Sequence, residues 1–166
     1  THIYNQSSCG KSINGQNNVF KVDLQPESPY CTAIASPVTS YAKVSTQPVN
    51  AFNASAAGGH ACTNSTVTFT NNSYPGEDPN NTNGNCAFTG ALYAWYINGT
   101  LVQANVPLNA AFTHQFTTKG TYTVSLHLQN NPSTCPVADV PMTICVQDKP
   151  APSFTLPATT ICISGG

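Results

Sequence analysis

The feature that most limits what this chain can fold into is alternation. In "TYTVSLHL" Tyr122, Val124, Leu126 and Leu128 fall on one side of an extended strand, and Thr121, Thr123, Ser125 and His127 fall on the other. "TVTFT" sets Val67 and Phe69 against Thr66, Thr68 and Thr70, and "YAWYI" puts Tyr93, Trp95 and Ile97 on one face. The Asn98-Gly99 pair that follows suits a tight type I′ hairpin turn leading into "TLV". Helical spacing is hard to find, and 13 prolines and 11 glycines between short runs would break long helices. An all-β, antiparallel β-sandwich is the expected architecture. Its expected strands are A near Val49–Phe52, B at Thr66–Asn71, C at Ala91–Ile97, C′ at Thr100–Ala104, E near Phe112–Phe116, F at Thr121–Gln129 and G at Val140–Gln147.

The same pattern occurs twice. His2 and Tyr4 match His114 and Phe116; after a longer loop, Phe20, Val22 and Leu24 match Tyr122, Val124 and Leu126. Cys31 then matches Cys135, "VSTQPVNAF" matches "VQDKPAPSF", and Cys62 matches Cys162. The period is near a hundred residues. Residues 1–48 therefore read as the last strands of one unit, 49–148 as a whole unit and 149–166 as the start of a third.

Only 7% of residues are charged and the formal charge is -1, so no basic stripe exists to meet a phosphate backbone or an anionic leaflet. Neither nucleic-acid binding nor direct membrane insertion is expected; no apolar run approaches the ~20 residues of a membrane-crossing helix. Seven cysteines, none in a CxxC pair, point to disulfides and an oxidising compartment rather than to a metal site. Their odd number leaves at least one without an internal mate.

The run His-x-Phe-x-x-x-Gly-x-Tyr-x-Val-x-Leu, from His114 to Leu126, resembles the signature of PKD (polycystic kidney disease) domains, which are Ig-like sandwiches. The resemblance covers mainly residues 91–150 and weakly 1–50. It implies that His114 and Phe116 end strand E, that Gly120 makes the E–F turn, that Tyr122 and Val124 line the core, and that Trp95 is the strand-C tryptophan. The chain reads "WYINGT" where the family has an Asp-containing turn, so ion binding by that turn is not implied. Tandem PKD-like units rich in Asn, Thr and Cys resemble segments of large surface adhesins of the Bacteroidota, including gliding-motility adhesins. That implies export to the cell surface.

Ig topology places the B–C and F–G loops at one pole and the start of B and end of G at the other. Cys86 is thus expected to pair with Cys135, and Cys62 with Cys145. Cys9, in a long E–F loop of the earlier unit, belongs at the second pole; Cys9, Cys31 and Cys162 are expected to find partners outside the chain. Each bridge would close a loop of about fifty to eighty residues, worth about 4 kcal/mol in chain entropy.

Other candidate sites are sparse. Glu77, Asp78 and Asn80, with Asn83 and Asn85, could ligate Ca²⁺ through oxygen, but the spacing is not that of an EF-hand and a solvated loop is the preferred reading. No other cofactor is expected. His114 shares a face with Phe112 and Phe116 and reads as a core histidine, and no nucleophile, P-loop, HExxH or paired-carboxylate motif appears, so an enzyme is not expected. Six Asn-x-Ser/Thr sequons are uninformative in so Asn- and Thr-rich a chain.

The leading expectation is a structural and adhesive spacer module whose partners are neighbouring repeats, surface glycans or another cell-surface protein. The alternative is a carbohydrate-binding or accessory module of a secreted enzyme. A sugar platform would need coplanar exposed aromatics, drawn from Tyr41, Tyr74, Tyr93, Trp95 and Tyr96.

Overall fold

The computed structural model describes residues 2–30, 36–82, 86–132 and 135–155. Twelve strands order along them: β1 (Ser12–Ile13), β2 (Gln16–Asn17), β3 (Phe20–Leu24), β4 (Val38–Ala42), β5 (Phe52–Ala54), β6 (His60–Cys62), β7 (Thr66–Asn71), β8 (Leu92–Ile97), β9 (Thr100–Pro107), β10 (Phe112–Gln115), β11 (Gly120–Leu128) and β12 (Val140–Gln147). The only helical turn among the described residues is the 3₁₀ turn Ala57–Gly59.

From residue 49 onward the chain builds an Ig-like β-sandwich. One sheet has the order β10-β7-β5 and the other β6-β12-β11-β8-β9. The alternation explains the two layers. Val67 and Phe69 of β7 turn inward toward Tyr93, Trp95 and Ile97 of β8 and Val124, Leu126 and Leu128 of β11, all buried, while the intervening Thr and Ser residues face solvent or lie half-buried. Trp95 is wholly buried, its ring 5.0 Å from Phe52, 5.3 Å from Phe112 and 5.7 Å from Phe69. Removing rings of this size from water stabilises the fold by roughly 2–3 kcal/mol each.

Strands B, C, E, F and G lie within a residue or so of their expected places, and C′ runs three residues further, to Pro107. Asn98 and Gly99 both take positive φ, 49° and 75°, and close the β8–β9 hairpin. Strand A departs from expectation. Val49 makes only an isolated bridge to Tyr74, and the strand itself is split. β5 pairs antiparallel with β7, the chain turns through Ala57–Gly59, and β6 pairs parallel with β12 in the opposite sheet. Gly59 permits this crossing: at φ +77°, a Cβ there would lie 2.8 Å from the Thr143 carbonyl oxygen.

The N-terminal segment forms two two-stranded sheets, β1-β2 and β3-β4. β3 and β4 pair as Phe20↔Ala42, Val22↔Ser40 and Leu24↔Val38, the register in which β11 and β12 pair Tyr122↔Ile144, Val124↔Met142 and Leu126↔Val140. The offset is a constant 102 positions, from Phe20 to Tyr122 and from Ala42 to Ile144. The T-shaped His114–Phe116 pair (4.7 Å) and its neighbour Tyr122 (4.7 Å from Phe116) recur as His2–Tyr4 (4.6 Å) and Phe20 (5.2 Å from Tyr4).

Candidate functional site at the joint

The chemistry-bearing residues converge where the N-terminal segment meets the sandwich. Between Tyr4 and Phe20 the chain makes a loop, folded on the small hairpin β1–β2, that has no counterpart between Phe116 and Tyr122. From this loop Cys9 reaches the B–C loop and forms a disulfide with Cys86, whose side chain is fully buried. This corrects two expectations at once. Cys86 is bonded to Cys9 rather than to Cys135, and Cys9 has its partner within the chain. Intra-unit topology was the wrong frame. The loop that carries Cys9 packs against the loop between β7 and β8 that carries Cys86, a contact that topology within one sandwich does not supply.

Around the bridge lie buried polar anchors that are fully engaged. Ser8 donates from its hydroxyl to the Asn18 carbonyl (2.7 Å) and accepts the Val44 N–H (2.9 Å). Asn18, 3% exposed, accepts the Gly10 N–H on Oδ1 and donates from Nδ2 to the carbonyls of Asn81 (2.8 Å) and Pro79 (3.3 Å). A buried amide that lost these acceptors would cost about 1–3 kcal/mol, so the anchor is specific as well as adhesive.

The linker between the two parts is gripped along its length. Glu77 accepts the Thr46 N–H (2.6 Å) and returns its own N–H to the Thr46 carbonyl. Burial works to raise the Glu77 pKa, but hydrogen bonds from Ser7 and from the Thr46 backbone and hydroxyl outweigh it, and the carboxyl lies below its ordinary 4.5. Gln47 donates to the Pro136 carbonyl, and Asn50, 3% exposed, donates to Leu126 (3.2 Å) and Ala138 (3.1 Å). Gly76 has φ +80°, and a Cβ there would fall 2.9 Å from the Pro48 ring.

The calcium candidates belong to this joint and are used otherwise. Glu77 is held as just described, Asp78 Oδ1 accepts the Asn80 N–H (2.9 Å), and Asn80 Oδ1 accepts from the Lys43 ammonium (2.8 Å). No cluster of three His, Cys, Asp or Glu residues that could hold a metal ion occurs among the described residues. Asn83 and Asn85 lie outside the described residues, as do Cys31 and Cys162.

Cys62 and Cys145 are unbonded thiols, contrary to the expected bridge. The parallel pairing of β6 with β12 sets His60, not Cys62, opposite Cys145, and Cys62 opposite Gln147. Two positions of strand rise separate the cysteines, about 8 Å between Cα atoms on ideal spacing, more than a disulfide spans. The short β6 carries no alternation from which its register could be read.

The signature residues serve the core. His114 lies between Phe112 and Phe116, Val124 is wholly buried, and the Tyr122 hydroxyl donates to the Thr118 carbonyl (2.9 Å) just before Gly120. The aromatic candidates for a sugar platform do not assemble. Tyr93 and Trp95 are buried, Tyr96 faces outward edge-on to His127, Tyr41 belongs to the β3–β4 sheet, and Tyr74 bridges Val49.

No protein-family model matches the sequence, and no curated protein does. Among solved structures, the chain is similar to the CARDB domain of a Pyrococcus furiosus protein determined by NMR. That match has 13% identity, covers 61% of this chain and 93% of that one, and has a TM-score of 0.41.

Proposed function

We propose that the chain is a stretch of an extracellular structural spacer built from PKD-like Ig sandwiches in tandem, of the kind found in Bacteroidota cell-surface adhesins, including those of gliding motility. On this reading residues 1–48 close one repeat, 49–148 form the next and 149–166 open a third, and each repeat's first partners are its neighbours. The observation that carries the reading is the Cys9–Cys86 bond, because it joins the E–F loop of one repeat to the B–C loop of the following one. A cross-link placed there fixes the angle between them, which is what a stiff rod requires. Its presence also supports an oxidising, extracellular setting. The carbohydrate-binding alternative has less support, since its two strongest aromatics, Tyr93 and Trp95, are core residues.

Small-angle scattering of the chain with and without the bridge tests the proposal. In the Cys9→Ala/Cys86→Ala variant the maximum dimension should broaden into a distribution as the joint loosens. A profile identical to that of the oxidised chain would mean that the bridge does not set the joint, and the stiff-spacer reading would fall.

A further inference from the structure

We propose that the outer face of the five-stranded sheet carries a shallow site for a neutral sugar, a pyranose with vicinal hydroxyls held by Tyr96, Ser125, His127 and Asp139. The inference goes beyond the spacer reading, since it gives the module a partner other than its neighbours. β8, β11 and β12 lie side by side in that sheet, and residues paired across a ladder share a face. Tyr96, Ser125 and Pro141 therefore form one outward row. His127, paired with Ala94, leads the next row, and Asp139 stands beside it just before β12. Ser125 is the small member of its row, so the row is a trough: Tyr96 and Pro141 wall it, with about 9–10 Å between their Cα atoms on ideal strand spacing. His127 closes one end.

The trough is already fixed in shape. Asp139 Oδ1 lies 2.8 Å from His127 Nδ1, and the Tyr96 ring stands edge-on to the imidazole, 6.5 Å between centroids at 89°. Ala94, opposite His127, faces outward and is nonetheless 0% exposed. The side chains around it therefore lie flat over the sheet and have little rotamer freedom left to lose on binding. A carboxylate only accepts, so Nδ1 carries a proton and Nε2 of the neutral ring is an acceptor. Nε2, Asp139 Oδ2 and the hydroxyls of Ser125 and Tyr96 have no hydrogen-bond partner among the described residues. Two neighbouring acceptors call for two neighbouring donors, and the half-buried Tyr96 ring for a C–H surface; vicinal hydroxyls on a pyranose supply both. One carboxylate with no third ligand does not make a cation site. An apolar peptide side chain would leave Asp139 and His127 desolvated and unpaired, and an acidic sugar would meet the Asp139 charge. The site needs one ring with polar neighbours rather than the coplanar platform that the chain does not assemble.

Amide chemical shifts of the oxidised chain, followed by NMR during titration with methyl galacto-, gluco- and mannopyranoside, test this. At least one glycoside should shift the amides of Tyr96, Ser125 and His127 saturably, and either Tyr96→Ala or Asp139→Ala should weaken its binding at least tenfold. The permethylated form of that glycoside keeps the C–H face but has no hydroxyl to donate. It should produce no shift, a comparison that needs no protein variant. The proposal falls if none of the three glycosides gives saturable shifts, if the shifts map to another face, or if the permethylated sugar or the variants bind equally. Scattering reads the Cys9–Cys86 joint alone, so the spacer reading and this site can fail independently.

Discussion

Removing the Cys9–Cys86 bridge should be the most informative single perturbation. The bond spans 77 positions of sequence. The chain-entropy relation for a loop of that size gives about 15 cal/mol/K, or about 4.5 kcal/mol at 25 °C, lost from the unfolded state's constraint. A chain of this length shifts its melting midpoint by about 2–4 °C per kcal/mol, so Cys9→Ala/Cys86→Ala should melt about 9–18 °C below the oxidised protein. The double variant prevents Cys86 from re-pairing, and the small cavity left by the buried Cys86 side chain adds at most about 1 kcal/mol. Calorimetry measures the shift, and reduction of the native protein should reproduce it. Hydrogen exchange supplies a spatial check: protection should fall at the amides of Thr46 and Glu77, which bond across the joint, before it falls in β11. A midpoint lowered by less than about 3 °C, with those amides still protected, would refute the argument that the bridge holds the two parts together.

Gly76→Ala should destabilise the joint by about 2 kcal/mol or more, since it adds strain at φ +80° to a contact with Pro48; denaturant titration followed at Trp95 and exchange at Thr46 would separate a global from a local effect. Cys62 should be alkylated by iodoacetamide in the native, non-reduced protein, with mass mapping placing the adduct on it; recovery of a Cys62–Cys145 peptide instead would contradict the observed register. Because the folded-state pKa of Glu77 is depressed, its contribution is complete above the ordinary 4.5 and disappears as pH falls below that through the folded value. The Thr46 amide should therefore lose protection on acidification, and Glu77→Gln should remove that dependence. Asp23, lowered by its hydrogen bonds from Lys21 and Thr39, titrates in the same direction, which is why the measurement belongs at Thr46 rather than on the global melt.

How much of this was legible depended on which interactions are local. Alternation located β7, β8, β11 and β12 because their inward residues, such as Val67, Trp95 and Leu126, must repeat every second position wherever the strands go. The Asn98-Gly99 turn was legible for the same reason: its backbone demand is met by two adjacent residues. β6 was not, because three residues carry too little pattern, and its parallel register decides whether Cys62 can meet Cys145. The joint was missed although its parts were visible. Cys9 had been placed at one pole and Cys86 at the other, and only the packing of the Tyr4–Phe20 loop against the loop between β7 and β8, which the pattern of one sandwich does not encode, makes them neighbours. Asn18 gave no signal at all; a polar residue in a Gly- and Asn-rich loop looks solvated until the acceptors at Pro79 and Asn81 are known.

The covalent bond that ties the N-terminal segment to the sandwich therefore comes from the loop between Tyr4 and Phe20 and not from the paired strands. Ser7, Cys9 and Asn18, which reach Glu77, Cys86 and the carbonyls of Pro79 and Asn81, lie in that loop, and Lys43 adds a bond to Asn80 from beyond β4. The corresponding loop of the whole unit, residues 117–119, has neither the thiol nor the length. What it offers the linker that follows β12 is Lys119 paired with Asp148 at 3.0 Å, both side chains more than half exposed. A screened surface pair of this kind contributes about 0–1 kcal/mol, against about 4.5 kcal/mol for the covalent bridge. Beside the two linkers of matching pattern, "STQPV" and "QDKPA", the described residues thus place different loops. On the spacer reading, the length of the Tyr4–Phe20 loop sets how firmly a joint is held without altering a core position.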